Sequence, residues 1–250
     1  MNANKKIYIV GAGPGDINLL TVKAKKIILN AEVIMHDEVV SESILELAPH
    51  AILYNAGFGG YANASHQELL AKKLVSYSLN YSSVVRLKSG DPFLFGNGGE
   101  TVKFIKEELQ NQNISASLEF VPGISSAFAA SSSLGLPLTL NGVNKSIAII
   151  SGHNDGEIHD YSKLVSFGTI ILYMSAITIN NHISGFIENG LDRNTPVLVI
   201  QKGCHPDERI FFGLLHETSK LVFDNKIQEP AVFIIGKSIE FYKRHIHTPQ

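Results

Sequence analysis

The sequence has no tryptophan and only one cysteine in 250 residues. Cys204 therefore has no partner for an internal disulfide, which fits a reducing compartment. Charge is also sparse. Asp, Glu, Lys and Arg make up 18% of the chain and leave a formal charge of −2, so there is no basic field of the kind that binds nucleic acid. The ten histidines are scattered, with no HxxxH or CxxC spacing, and no metal site is expected. Long apolar runs are missing too. The basic pair Lys5-Lys6 is followed by a short apolar run, Ile7 to Val10, before the first glycine. That run is too short for the core of a signal peptide, and no other approaches a membrane span. These absences predict a cytoplasmic protein with neither membrane nor nucleic-acid partners.

What is present is a sizeable core: 44% of residues are hydrophobic, ample for one large or two small domains. In the first part of the chain short apolar runs alternate with helical patterns. Ile7–Val10, Glu32–Met35, Ala51–Ala56, Ser83–Lys88 and Leu118–Val121 read as strands. Helices are predicted after the first glycine loop, from an N-cap at Ser41 to Pro49, over Leu69–Tyr77 behind a Ser65/Glu68 capping box, over Glu100–Leu109 and over Gly123–Leu134. This alternation argues for a parallel sheet with crossover helices. After Pro137 the strands come closer together (SIAIISG, TIILYM, PVLVIQKG, RIFFG, AVFIIG), and RIFFG suggests antiparallel pairing. The reading is α/β with two domains, 1–139 with a parallel sheet and 140–250 with a mixed sheet. The tail FYKRHIHTPQ reads as a frayed end.

The loop after the first strand, Gly11-Ala12-Gly13-Pro14-Gly15-Asp16, invites comparison with the dinucleotide fingerprint GxGxxG. It fits poorly. Asp16 stands where the third glycine belongs and would repel a pyrophosphate, and Pro14 lacks an N–H for cradling phosphate. Alone, such a loop is a tight strand-to-helix turn. Two further loops follow strands in the same way, Arg86 to Glu100 (RLKSGDPFLFGNGGE) and Val121 to Ala130 (VPGISSAFAA). Three such loops at the carboxyl ends of parallel strands are where an open α/β sheet binds its ligand.

In this order the motifs resemble those of the tetrapyrrole methylase family over nearly the whole chain. GxGPGD with Leu-Leu-Thr and Lys-Ala is met by Gly11–Asp16, Leu19–Thr21 and Lys23-Ala24. RLKGGDPFxFGRGGEE is met by Arg86–Glu100, with exceptions. VPGITSA and GIPLT are met by Val121–Ala127 and Gly135–Thr139. In the second half Ser151–His153, Tyr173–Ser175, Thr195–Val197 and Pro230–Gly236 stand for TGH, YMG, TPV and PAxxIG. The resemblance implies S-adenosylmethionine (SAM) as methyl donor, S-adenosylhomocysteine as product, no metal, a cleft between two α/β domains, and a homodimer. The SAM contacts it implies fall on Pro14, Ser89, Gly90, Asp91, Leu94, Ser125, Ser126, Met174 and Gly203. Apolar walls, backbone groups and small hydroxyls suit adenosine and a sulfonium better than a triphosphate. The implied chemistry is methylation of two ring carbons of uroporphyrinogen III, giving precorrin-2 by way of precorrin-1 on the way to sirohaem or cobalamin. Alignment of donor and carbon is the main task, helped by a proton acceptor. The family's proposed base falls on Asp37, for which an N-cap or turn role is the other reading.

The departures from the family pattern fall in one class. Phe58 stands where the family has a lysine, Asn97 where it has arginine, Thr101 where it has a second glutamate, and Leu140-Asn141 where it has His-Arg. Ala71 replaces an asparagine. Uroporphyrinogen III carries eight carboxylates, for which arginine is the natural partner. Lys88, Lys202, His153 and His66 are the remaining candidates to meet them. Three readings stay open: a divergent enzyme acting on uroporphyrinogen III, a methylase of this fold with a different acceptor, and a SAM-binding protein without catalysis.

Overall fold

A computed structural model of the chain describes residues 5–57, 64–153 and 159–246. Phe58 lies outside them. The chain divides into two compact units, Met1–Ser126 and Ala127–Gln250.

The first unit alternates strand and helix: β1 (Lys6–Gly11), α1 (Val22–Leu29), β2 (Val33–His36), α2 (Glu42–Leu45), β3 (Ile52–Asn55), α3 (Ala64–Asn80), β4 (Ser83–Lys88), α4 (Gly98–Asn111) and β5 (Ser117–Val121). The sheet runs β3-β2-β4-β1-β5 and every pair is parallel. Period-two alternation divides its side chains between two faces. Ile7, Ile9, Val33, Met35 and Val84 pack under α3 and α4. Val10, Ile34, Val85 and Leu87 pack under α1 and α2. Both faces are covered, as a parallel sheet requires. Ser41 is the N-cap of α2 as expected, but the helix is a single turn because Ile44 is its only buried residue. Ser65, expected as a cap, already lies inside α3.

The second unit holds α5 (Ser126–Leu134), β6 (Ile147–Ser151), α6 (Tyr161–Leu164), β7 (Thr169–Tyr173), α7 (Ile179–Glu188), β8 (Pro196–Gln201), β9 (Arg209–Leu214), α8 (Thr218–Asp224), β10 (Ala231–Gly236) and α9 (Ser238–His245). Its sheet runs β6-β7-β10-β8-β9. β6 and β7 are parallel, and the other pairs are antiparallel. The sheet is therefore mixed, and RIFFG does pair antiparallel. The second unit starts earlier than the 139/140 boundary read from the sequence. Ala127, Ala130 and Leu136 share a core with Ile171, Leu198 and Val232, which ties α5 to the second sheet. The tail, read as frayed, is helical through His245, because Ile239 and Tyr242 are buried in the same core.

Candidate active site

The glycine loops of the first unit meet through their backbones. Gly13 and Gly90 form an antiparallel bridge, with N–H to carbonyl distances of 3.2 Å and 2.8 Å. A Cβ on Gly11 would lie 2.5 Å from Gly123 N, and one on Gly123 would strike the Gly90 carbonyl. Glycine is needed here for close approach of backbones, not for phosphate binding. Asp91 locks the arrangement. Its Oδ2 accepts from Gly123 N at 3.1 Å, and its Oδ1 accepts from Phe93 N at 2.9 Å. Asp16 is likewise structural: its Oδ1 accepts from Asn18 N at 2.8 Å and caps a short 3-10 turn.

Pro14, Ser89, Gly90, Asp91 and Leu94 thus lie on two bridged loops, with Ser125 and Ser126 on the third, and Ser125 is buried. None of these side chains is cationic, and the set offers backbone groups, small hydroxyls, two apolar side chains (Pro14 and Leu94) and an Asp91 carboxylate already bonded to loop N–H groups. That inventory fits an adenosyl ligand without phosphate. Met174 and Gly203 belong to the second unit, after the ends of β7 and β8. The two strands flank the start of β10, where Tyr173 stands opposite Val232 and Gln201 opposite Ala231. Met174 has a left-handed backbone, φ +52°. Its turn is held from both sides. Gly152 N donates to Tyr173 O at 2.6 Å, and the Glu229 carboxylate accepts from Ala176 N at 2.9 Å. Gly203 has no room for a side chain, since a Cβ would sit 2.8 Å from that of Ala130.

Asp37 follows β2, and its side chain does not cap a helix. Oδ1 is ion-paired with Nη2 of Arg86, Oδ2 accepts from Ser89 N at 3.4 Å, and Nζ of Lys88 lies 4.0 Å from Oδ1. Only its backbone takes part in a turn, Val40 N donating to Asp37 O at 3.1 Å. Arg86 and Lys88 are two residues apart on β4, so both side chains reach the sheet face under α3 and α4. Arg86 also donates to the carbonyls of Met35 and Leu87, at 3.3 Å and 3.0 Å. Lys88 is fully buried, and its Nζ has no hydrogen-bond partner. Burial, with the Arg86 charge next to it, pushes the ammonium down to about 8. The motif RLK holds two of the three members of this cluster, and the sequence reading assigns Arg86 no role. Its signal was a pair of cations on one face of an otherwise apolar strand.

Two of the other candidates, Lys202 and His66, have partners of their own. Lys202 pairs with Asp207 at 2.5 Å, and His66 Nε2 lies 3.2 Å from Ala56 O. His153 donates its backbone N–H to Ser151 Oγ at 3.2 Å. Three of the departures have local structural roles. Asn97 takes a left-handed conformation, φ +53°, at the start of α4, which asparagine tolerates better than most residues. Buried Thr101 donates to Asn97 O at 2.7 Å. Leu140 bridges to Asn144 in a tight turn.

Two α/β units, one of them carrying backbone-bridged glycine loops at the ends of parallel strands, define an α/β enzyme whose candidate loop residues offer no cation to a phosphate. The chain belongs to the tetrapyrrole (corrin/porphyrin) methylase family, whose family model matches residues 6–218. It is 33% identical over 249 residues to the S-adenosyl-L-methionine-dependent uroporphyrinogen III methyltransferase of Methanosarcina barkeri, covering 97% of this chain and 93% of the relative. It is 35% identical over 242 residues to the uroporphyrinogen-III C-methyltransferase of Priestia megaterium, covering 94% and 99%. Among solved structures it is similar to the uroporphyrin-III C-methyl transferase from Thermus thermophilus complexed with S-adenyl homocysteine, at 31% identity and a TM-score of 0.79 over 94% of each chain. Among the described residues no helix is long and apolar enough to cross a membrane.

Proposed function

We propose that this protein transfers methyl groups from SAM to two ring carbons of uroporphyrinogen III, giving precorrin-2 by way of precorrin-1. The observation that carries the reading is likeness over more than nine-tenths of both chains to relatives named for this reaction. The donor supplies an activated methyl on a sulfonium. The chain supplies the rest: this reading assigns the binding and orienting of the donor to Pro14, Ser89–Asp91, Leu94, Ser125, Ser126, Met174 and Gly203. In this reading Asp37 takes the proton that carbon methylation releases; its carboxylate at the strand ends, beside the Ser89 loop, supports the assignment. The same reading makes the protein a cytoplasmic homodimer supplying sirohaem or cobalamin synthesis.

The test is to incubate the purified protein with methyl-labelled SAM and freshly reduced uroporphyrinogen III, then weigh the tetrapyrrole by mass spectrometry. A gain of two methyl groups is expected. SAM binding without any gain would overturn the acceptor and leave the donor site standing. It would point to a methylase with another acceptor, in keeping with Asn97, Thr101 and Leu140-Asn141 at the departing positions.

A further inference from the structure

Asp37, Arg86 and Lys88 share one buried corner of the first sheet, and their charges do not balance: two cations face one carboxylate. Arg86 has already taken the Oδ1 edge of Asp37, and arginine keeps its proton. Lys88 Nζ is enclosed, has no hydrogen-bond partner, and stands 4.0 Å from the same oxygen. A buried ammonium in that position lacks the partners that normally justify its charge. We infer that Lys88 is the proton sink of the reaction, a positioning residue that relieves Asp37 of the proton taken from the methylated ring. The inference rests on the methyl-transfer reading given above.

The step balances as follows. Formation of the new carbon–carbon bond leaves one positive charge on the acceptor, and the donor sulfur keeps the electron pair of the bond that breaks. A neighbouring C–H bond of the acceptor then gives its electron pair back to the ring and its proton to the Asp37 carboxylate. The neutral amine of Lys88 receives that proton and becomes an ammonium, and the carboxylate returns to its ion pair with Arg86. No oxidant or further reactant is needed. For Lys88 to begin neutral the amine must be deprotonated; burial brings it down to about 8, so the neutral form becomes the major one above that pH, where turnover should be fastest. The charges around it are Arg86 on its own strand, Asp37 after β2, and Glu100 on α4. The buried polar side chains of α3, Gln67 and Ser78, are uncharged, and the continuation of β1 through Gly11–Pro14 has no titratable side chain.

The experiment measures kcat from about pH 6.5 to about pH 9.5 for wild type, Lys88→Met and Lys88→Arg, beside SAM affinity by calorimetry. Protein labelled with nitrogen-15 at lysine would report the Nζ titration directly by NMR, independently of turnover. Wild-type kcat should rise with pH, with a midpoint matching an NMR titration that Lys88→Met lacks. Both variants should bind SAM as wild type does and lose about 100-fold in kcat together with the pH inflection. Lys88→Arg turning over at the wild-type rate would overturn the inference, since a fixed cation would then suffice. Lys88→Met that keeps the pH inflection would also overturn it. If wild-type protein binds SAM and never methylates the acceptor, the functional reading fails and this inference fails with it. Loss confined to the variants separates the two.

Discussion

Arg86 reaches sideways from an apolar strand to hold Asp37, which belongs to the end of the neighbouring strand. The pair is almost wholly enclosed, and the remaining Nη1 donor capacity goes to the carbonyls of Met35 and Leu87. Removing one partner leaves a charge in a region that cannot hydrate it. Arg86→Met should therefore cost about 3–5 kcal/mol, whereas Arg86→Met with Asp37→Leu should cost clearly less than the two single changes added together. Urea unfolding of the four proteins in the cycle measures this. Additive losses would mean that the pair contributes no coupling, and would remove the argument that it anchors the site.

The glycine contacts predict a graded response to a single methyl group. Gly57 has φ +72° with nothing within 4 Å of a built Cβ, so Gly57→Ala should cost only the backbone penalty, about 1–2 kcal/mol. Gly123→Ala forces its methyl onto the Gly90 carbonyl and to within 2.9 Å of Gly11 Cα. The three loops must then separate, and SAM affinity should fall by at least about tenfold, equivalent to about 1.4 kcal/mol. Calorimetric titration of SAM into both variants separates the cases. Equal affinities would show that the loop junction does not shape the donor site.

Much of this architecture was legible in the sequence because period-two and helical patterns report which face is buried. Strands such as Ile7–Val10 and the run AVFIIG declare themselves instead as short continuous apolar runs, as strands covered on both faces do. The three glycine loops could be placed at strand ends, but their mutual contact could not be read. Only the folded register sets Gly13 beside Gly90 and Gly11 against Gly123. Arg86 was hidden for a similar reason: a cation in a strand signals a partner without saying which, and Asp37 is 49 residues away along the chain. The extent of α9 was missed because its charged residues, Lys243, Arg244 and His245, mask a short buried stripe of Ile239 and Tyr242.

Lys88 also predicts how stability depends on pH, whatever its part in catalysis. Its ordinary value is 10.5 and its folded value is about 8, so the unfolded chain binds the extra proton between those limits. Stability then rises with pH across the window. The cost of burying a charged Lys88 is present in full below about pH 8 and is gone near the ordinary lysine value. The wild type should gain up to about 3 kcal/mol over this range relative to Lys88→Met, whose own slope lacks this contribution. Denaturant titrations at closely spaced pH values test the difference. Parallel curves for the two proteins would show that the lysine is not held as the structure places it.

Glu229 offers the corresponding test in the second unit. Its Oε1 accepts from Ala176 N at 2.9 Å and its Oε2 from Ala231 N at 2.8 Å, so one carboxylate joins the turn after Met174 to the start of β10. Burial pushes this carboxyl above the usual carboxylate range, while the backbone donors oppose the shift. Glutamine keeps the shape but has a single acceptor oxygen, so Glu229→Gln leaves one backbone N–H without a partner. The expected loss is about 1–3 kcal/mol. Met174 holds a left-handed backbone that is costly without support, and loosening it should raise the KM for SAM about fivefold with little change in kcat. Steady-state kinetics with SAM varied at saturating acceptor measures both constants. A stability loss with an unchanged KM would confine Glu229 to holding the sheet, and Met174 would then need another source of order.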